Sequence, residues 1–451
     1  MLFSYGIKAR ERESWSTEFP FFFCAIDEVT PFGKALIQLK KGTQYNSYLA
    51  AMLYKVLHLL IGAWMRIHLK RLFIRGLENV PQKEPVLFTC NHGNAFLDAV
   101  LIAITLKRPV HFLTRADVFK KPWQRYILGK IKMIPIYRIR DGIDSIEKNT
   151  ETFALCSGIL KNGGAILIFS EGNAHPEKRL RPLKKGSARI AFQSAEALGW
   201  TSDLKIIPVG INYTDHTSFR TEVMLGFGSP ITVADFRSEY ESDQAKGLLA
   251  INHQIFQGIR DEMINIPERD QDEVANIALA IGRAEKQYPL FRFRYRNEGR
   301  LDHEQMVLAN FLERDSEELR DKLKRFAKKS DEMHLPLALA HAQLPNNRTA
   351  FLLLGFFPAL LGLIIHAVPM SLAFWFTGKK VRDAQFINSV LMGTGFFFTA
   401  IWYLFILVCK AVYAPYLLLL LPLFPVLLRI TLLYSEALAQ QRARALRKKL
   451  K

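Results

Sequence analysis

Two short constellations in this 451-residue chain carry side chains able to do chemistry. The first is Asn91-His92-Gly93-Asn94-Ala95-Phe96-Leu97-Asp98. An imidazole can take a proton from a hydroxyl at neutral pH, and a carboxylate on its other ring nitrogen would fix the tautomer. Six positions along an unbroken helix leave two side chains about 120° off a common face. His92 and Asp98 therefore meet only if His92 lies in a loop ahead of the helix; otherwise the histidine caps the helix and Asp98 is solvated. The second constellation is Phe169-Ser170-Glu171-Gly172-Asn173-Ala174-His175, followed by Leu180-Arg181-Pro182-Leu183-Lys184-Lys185-Gly186. Gly172 permits a sharp turn or close ligand approach. Backbone amides there, Lys184 and the start of the next helix favour a phosphate; the alternative is a strand–helix loop with a solvated basic face. Arg138 ends another apolar run, and its planar fork suits phosphate. A surface ion pair with Asp141 is the plainer use for it.

These residues need a scaffold. Between Phe73 and about Arg237, short apolar runs bounded by turn or charged residues predict strands at Val86–Cys90, Val110–Thr114, Met133–Tyr137, Ala165–Phe169, Lys205–Asn212 and Glu222–Phe227. Helical stretches alternate with them. One carries Ile146, Phe153, Cys156 and Leu160 on one face, and another runs from Gly186 to Leu198. The fold class is α/β, a mixed sheet flanked by helices, with a helical extension and C-terminal transmembrane helices. Both constellations follow predicted strands, the usual place for catalytic residues in such sheets.

The rest of the chain divides by composition. Residues 1–47 read as a disordered N-terminal extension or an upstream start, with Met52 resembling a natural one. Residues 48–72 predict an amphipathic helix lying on a membrane, or an ordinary packing helix. The α/β domain covers 73–237, and residues 238–345 are a charged helical region. Within it Phe291-Arg292-Phe293-Arg294-Tyr295-Arg296 alternates like an amphipathic edge strand. Residues 346–434 hold the membrane segments, at 349–376 and 388–434. The first is a kinked span or a re-entrant hairpin, and the second is long enough for two passes with a break near Lys410 and Pro415. A basic tail, 435–451, and the cations Lys379, Lys380 and Arg382 place those flanks in the cytoplasm.

Lys and Arg total 61 against 42 Asp and Glu, a net charge of +19 that favours anionic partners. The cations are spread out or flank apolar segments, which argues against nucleic acid. Cys24, Cys90, Cys156 and Cys409 have no paired or metal-like spacing and read as reduced thiols, so no metal site is expected. A GxSxG nucleophile elbow is missing, which disfavours a hydrolase.

Taken in order, His92 with Asp98, Arg138, Glu171-Gly172 and the apolar stretch around Pro208 resemble the motifs of the glycerol-phosphate and lysophosphatidate acyltransferase superfamily over residues 73–230. The resemblance implies a catalytic His92–Asp98 pair. It also implies that Arg138 and Glu171-Gly172 bind the acceptor's phosphate region, with Lys184, Asn94 and His175 completing the acceptor set. Two departures stand out: five residues rather than four separate His92 from Asp98, and Asn173-Ala174 replace the usual threonine–arginine. The longer spacing and the histidine in the third motif are similar to fungal-type glycerol-3-phosphate acyltransferases.

The expected function is therefore that of an integral membrane O-acyltransferase of phospholipid synthesis with its catalytic domain on the cytoplasmic side. It would move an acyl chain from acyl-CoA or acyl carrier protein to glycerol 3-phosphate or lysophosphatidate, with membrane lipids as partners and no cofactor. The alternative is a non-catalytic membrane protein that binds anionic lipid or tethers partners. That reading expects His92 and Asp98 to lie apart.

Overall fold

A computed structural model describes residues 43–137, 145–200, 204–286, 288–340, 349–413 and 422–447. Arg138, Asp141 and Cys24 lie outside these residues, as does most of the N-terminal extension. Among the described residues nine strands form one mixed sheet: β1 Arg71–Arg75, β2 Val86–Cys90, β3 His111–Arg115, β4 Met133–Ile136, β5 Ala165–Phe169, β6 Lys205–Tyr213, β7 Glu222–Phe227, β8 Ile231–Thr232 and β9 Arg294–Arg296. Their spatial order is β4-β3-β5-β2-β6-β7-β1-β9, with β8 beside β6. Pairing is parallel except where β6 meets β7 and β8. The six predicted strands are present within a residue or so at each end. β1 and β8 were not foreseen: β1 has only three apolar residues between flanking arginines, and β8 has two residues in all. β9 is the central part of the alternating Phe291–Arg296 run. It forms the sheet edge beside β1, with Phe293 and Tyr295 turned into the core.

The central strands are apolar on both faces because helices cover both. Period-two alternation sends Val86, Phe88 and Cys90 of β2, with Leu167 of β5 and Ile207, Val209 and Ile211 of β6, to one side. There they pack against α2 (Ala95–Thr105), the end of α1 (Thr43–His68) and residues of three long C-terminal helices. Leu87, Ile166, Ile168 and Ile206 point the other way, onto α4 (Ser145–Lys161), α5 (Gly186–Ala197) and α6 (Gln244–Asp261). Helix α3 (Pro122–Lys130) links β3 to β4. At the β1 end, Phe73, Met224 and Tyr295 pack on α7 (Asp272–Gly282) and α8 (Arg300–Glu313), which α9 (Glu317–Glu332) follows.

Pro208 is not at a sheet edge. It pairs with Thr89 of central strand β2 on one side. On the other side β8 pairs up to Ile206 and β7 only from Val209, so the proline falls at the break between the two partners.

Helices α10 (Phe356–Lys380) and α11 (Ala384–Tyr413) are long and apolar enough to cross a membrane, and α12 (Phe424–Arg447) follows. α10 is continuous through Pro369, so it does not fold back as a re-entrant hairpin. Phe357, Ile364, Trp375, Leu404 and Phe405 stand exposed on these helices, an apolar belt that a soluble surface rarely carries. α1 is split in character. Met52, Val56 and Leu59 are exposed, whereas Trp64, Met65 and Ile67 are core.

Candidate active site

The site forms at the carboxyl ends of β2 and β5. Asn91 extends the sheet by one step: its Nδ2 donates to the Ile211 carbonyl (3.0 Å) and its Oδ1 accepts from the Ile211 amide (2.7 Å). The chain then turns through His92 and Gly93 to Asn94, the N-cap of α2. His92 thus sits ahead of the helix and Asp98 in its first turn, the one arrangement in which they can meet. Their separation, His92 Nδ1 to Asp98 Oδ2, is 2.8 Å.

Asp98 is fully buried and accepts from four donors. Oδ2 takes the His92 ring, the Gly93 amide (2.9 Å) and the Asn94 amide (2.8 Å), and Oδ1 takes the Tyr213 hydroxyl (2.6 Å). Burial and the neighbouring Asp98 raise the Tyr213 phenol well above its ordinary range, so it stays a donor. A ring nitrogen facing a carboxylate carries the hydrogen, which leaves the His92 Nε2 lone pair as the base. The ring is 15% exposed and stacks on Phe169 at 3.9 Å between centroids. Gly93 lies so close to His216 that an added Cβ would stand 3.0 Å from that ring. Burial, then the charge of Lys178, pushes His216 down to about 3, so it faces the site as a neutral ring. Ala95, at φ 21°, opens α2 in a strained conformation of a kind that costs on the order of 1–3 kcal/mol.

The second constellation is bound to the first. Glu171 accepts from the His92 amide (2.9 Å), and the His175 amide donates to the His92 carbonyl (2.7 Å). Burial pushes the Glu171 carboxyl up to about 7, against the pull of the His92 and Arg181 amides. Gly172 turns the chain at φ 78°, and the Lys184 side chain lies over it. Burial, then the Arg181 charge, lowers the His175 ring. Beyond it the loop docks on α7 and on the segment before it. Lys178 Nζ donates to Asn276 Oδ1 (2.7 Å), Arg179 pairs with Asp272 (2.8 Å), and the Leu180 amide donates to Asn265 (2.9 Å).

The structure therefore brings His92, Asp98, Glu171, Gly172 and His175 together, with Lys184 exposed at the rim. Asn94 differs from expectation. It is fully buried as the N-cap, so it supports the turn and does not present itself to an acceptor. Sequence reasoning overlooked Tyr213 and His216. Tyr213 was within reach, because it continues the inward series Ile207, Val209, Ile211.

Comparison with known proteins falls on the same part of the chain. Residues 71–212 match the family model described as Acyltransferase. Over 208 residues the chain is 26% identical to glycerol-3-phosphate O-acyltransferase 2 of Saccharomyces cerevisiae, covering 44% of this chain and 26% of that protein. It is 27% identical over 143 residues to the chloroplastic 1-acyl-sn-glycerol-3-phosphate acyltransferase BAT2 of Brassica napus, 30% of this chain and 39% of the relative. The chain thus spans well under half the length of either relative. A crystal structure of the LPA acyltransferase PlsC from Thermotoga maritima aligns with a TM-score of 0.36 at 17% identity, over 51% of this chain and 87% of that one. With its motifs in order and its paired histidine and aspartate in place, the stretch 71–212 of this chain is similar to the Acyltransferase family.

Proposed function

We propose that this chain transfers a fatty acyl group from an acyl thioester to a hydroxyl of glycerol 3-phosphate or 1-acylglycerol 3-phosphate at a membrane, as a step of phospholipid synthesis. The carrying observation is the His92–Asp98 pair, with Nε2 open beside a cationic loop. The acceptor hydroxyl gives its proton to Nε2, and its oxygen attacks the thioester carbonyl carbon. The tetrahedral intermediate expels the sulfur as a thiolate, a good leaving group because thiols are acidic, and the imidazolium returns its proton to that sulfur. Asp98 holds the ring and stabilises the imidazolium that forms. Coenzyme A or an acyl carrier protein supplies the acyl group, and the sequence of steps asks for no metal and no other cofactor.

Lys184 and its cationic neighbours are suited to the acceptor's phosphate. Two apolar helices support membrane association, where acyl chains reside. The cations Lys379, Lys380 and Arg382 lie next to Asp383, whose charge is felt at His175, so the connection between α10 and α11 shares the catalytic end of the molecule. By the bias of positive loops, that end faces the cytoplasm.

The deciding experiment offers purified protein an acyl-CoA with labelled glycerol 3-phosphate or labelled 1-acylglycerol 3-phosphate in separate reactions, with His92→Ala as the control. Product from one acceptor identifies the substrate. Product from neither, in folded protein supplied with either donor type, sinks the reading.

A further inference from the structure

The helix that carries Asp98 lacks the cap that helices usually supply for themselves. The N-cap side chain normally accepts from an amide of the first turn. Asn94, at the N-cap of α2, makes no such bond. The hydroxyl of Ser389, from the first turns of the apolar helix α11, takes that place. Its Oγ accepts from the Leu97 amide (3.1 Å) and donates to the Asn94 carbonyl (3.2 Å). Ser389 is fully buried, and it meets α2 across 292 and 295 residues of chain.

Three further contacts fix the register of α11 here. Asn388, also fully buried, accepts at Oδ1 from His68 Nε2 at 2.7 Å, and the Met392 carbonyl accepts from Trp64 Nε1 at 3.0 Å. Gly393 faces the Phe96 ring so closely that an added Cβ would touch it at 3.4 Å. The residues pinned by Ser389 bracket strained Ala95 and lie directly between His92 and Asp98. The Asn94 amide bonds Asp98 Oδ2 while its carbonyl bonds Ser389, so one peptide group after another links the carboxylate to the apolar hairpin.

We propose that Ser389 is a positioning residue for the His92–Asp98 pair, and that the apolar hairpin completes the catalytic turn as well as anchoring the protein. The proposal rests on the general-base reading of His92. Losing the hydroxyl frees the Leu97 amide and lets the first turn of α2 relax, which draws Asp98 out of line with the imidazole. The acceptor and donor sites are untouched.

The test uses the full chain in lipid nanodiscs, comparing Ser389→Ala, Ser389→Cys and His92→Ala with the unmodified protein. Ser389→Ala is expected to lower kcat roughly tenfold or more with KM within about threefold. The acid limb of its kcat/KM profile moves to lower pH, because a displaced carboxylate stabilises the protonated ring less. Ser389→Cys keeps the volume and weakens both bonds, so it falls between; it carries the test if the alanine variant does not fold. Unaltered kcat and pH profile in the folded serine variants, beside an inactive His92→Ala, overturn the role given to Ser389. Full activity in His92→Ala overturns instead the general-base reading beneath it.

Discussion

The turn between His92 and Asp98 and the loop between Glu171 and Lys185 face each other across one site, yet they are held in opposite ways. In the turn, the Asp98 carboxylate is buried and gathers donors from four to six residues away and from Tyr213. In the loop, the fixing contacts reach 85 to 98 residues along the chain, through cations that are partly exposed. Buried charge-assisted hydrogen bonds hold geometry to fractions of an ångström and are barely screened by salt. Part-exposed ion pairs are weaker and salt-sensitive. On the proposed mechanism, the pair that moves the proton is the rigid part, and the loop that admits and releases an anion is the adjustable part.

The comparison is broken most directly at the rigid end. His92→Ala should reduce kcat by about 100- to 10,000-fold, the usual worth of a general base. Asp98→Asn should fall in the same range, because an amide NH2 facing Nδ1 favours the wrong tautomer. Both are read from initial rates on protein whose thermal unfolding confirms the fold. A milder break is Tyr213→Phe, which removes the single donor to Asp98 Oδ1 among the described residues and leaves that buried oxygen unsatisfied. The expected cost is about 1–3 kcal/mol in stability, with roughly tenfold in kcat and little change in KM. A Tyr213→Phe enzyme with unaltered kcat removes the tyrosine from the positioning scheme.

At the adjustable end the effects should fall on binding. Arg179 donates to the Ile266 and Pro267 carbonyls and pairs with Asp272, tying the loop to α7. Arg179→Ala should raise KM for the phosphorylated acceptor roughly threefold to tenfold and leave kcat nearly untouched. Raising salt in the unmodified enzyme should move KM the same way. A fall in kcat alone would show that the two regions are not separable in this manner.

Much of this division was legible before any coordinates. The central strands announce themselves because residues buried on both faces must be apolar, and the spacing of His92 and Asp98 left one geometry in which they could bond. Tyr213 could be placed by parity along β6. What stayed hidden depends on registers between distant segments. Nothing near Ser389 marks it as the partner of Asn94, since a serine in an apolar helix reads as a tolerated polar residue. Lys178 and Arg179 sit in a basic run that reads as a phosphate holder or a solvated face, because Asn276 and Asp272 belong to a helix whose docking no local pattern encodes. The buried place of Asn94 was likewise invisible, because whether a cap residue faces solvent is decided by what packs over it.

The effect furthest from catalysis sits where the two regions join. Glu171 belongs to the loop by sequence but to the turn by its bond to the His92 amide. Its carboxyl is raised from about 4.5 to about 7, with burial as the leading cause. Between those values the unfolded chain has released the proton and the folded one still holds it. Folding is then linked to proton uptake, and stability must fall as pH rises through that window and stay lower above it. The whole effect is at most about 3 kcal/mol. Glu171→Gln cannot titrate, so the difference in melting temperature between variant and parent should move in the variant's favour from pH 5 to pH 8, followed by tryptophan fluorescence. The slope is the readout and the offset is not, because the amide also turns an N–H toward the backbone donors that the carboxylate accepted. Parallel curves across that range would mean that Glu171 is ionised throughout, and the junction would then belong with the charged, adjustable loop rather than with the buried turn.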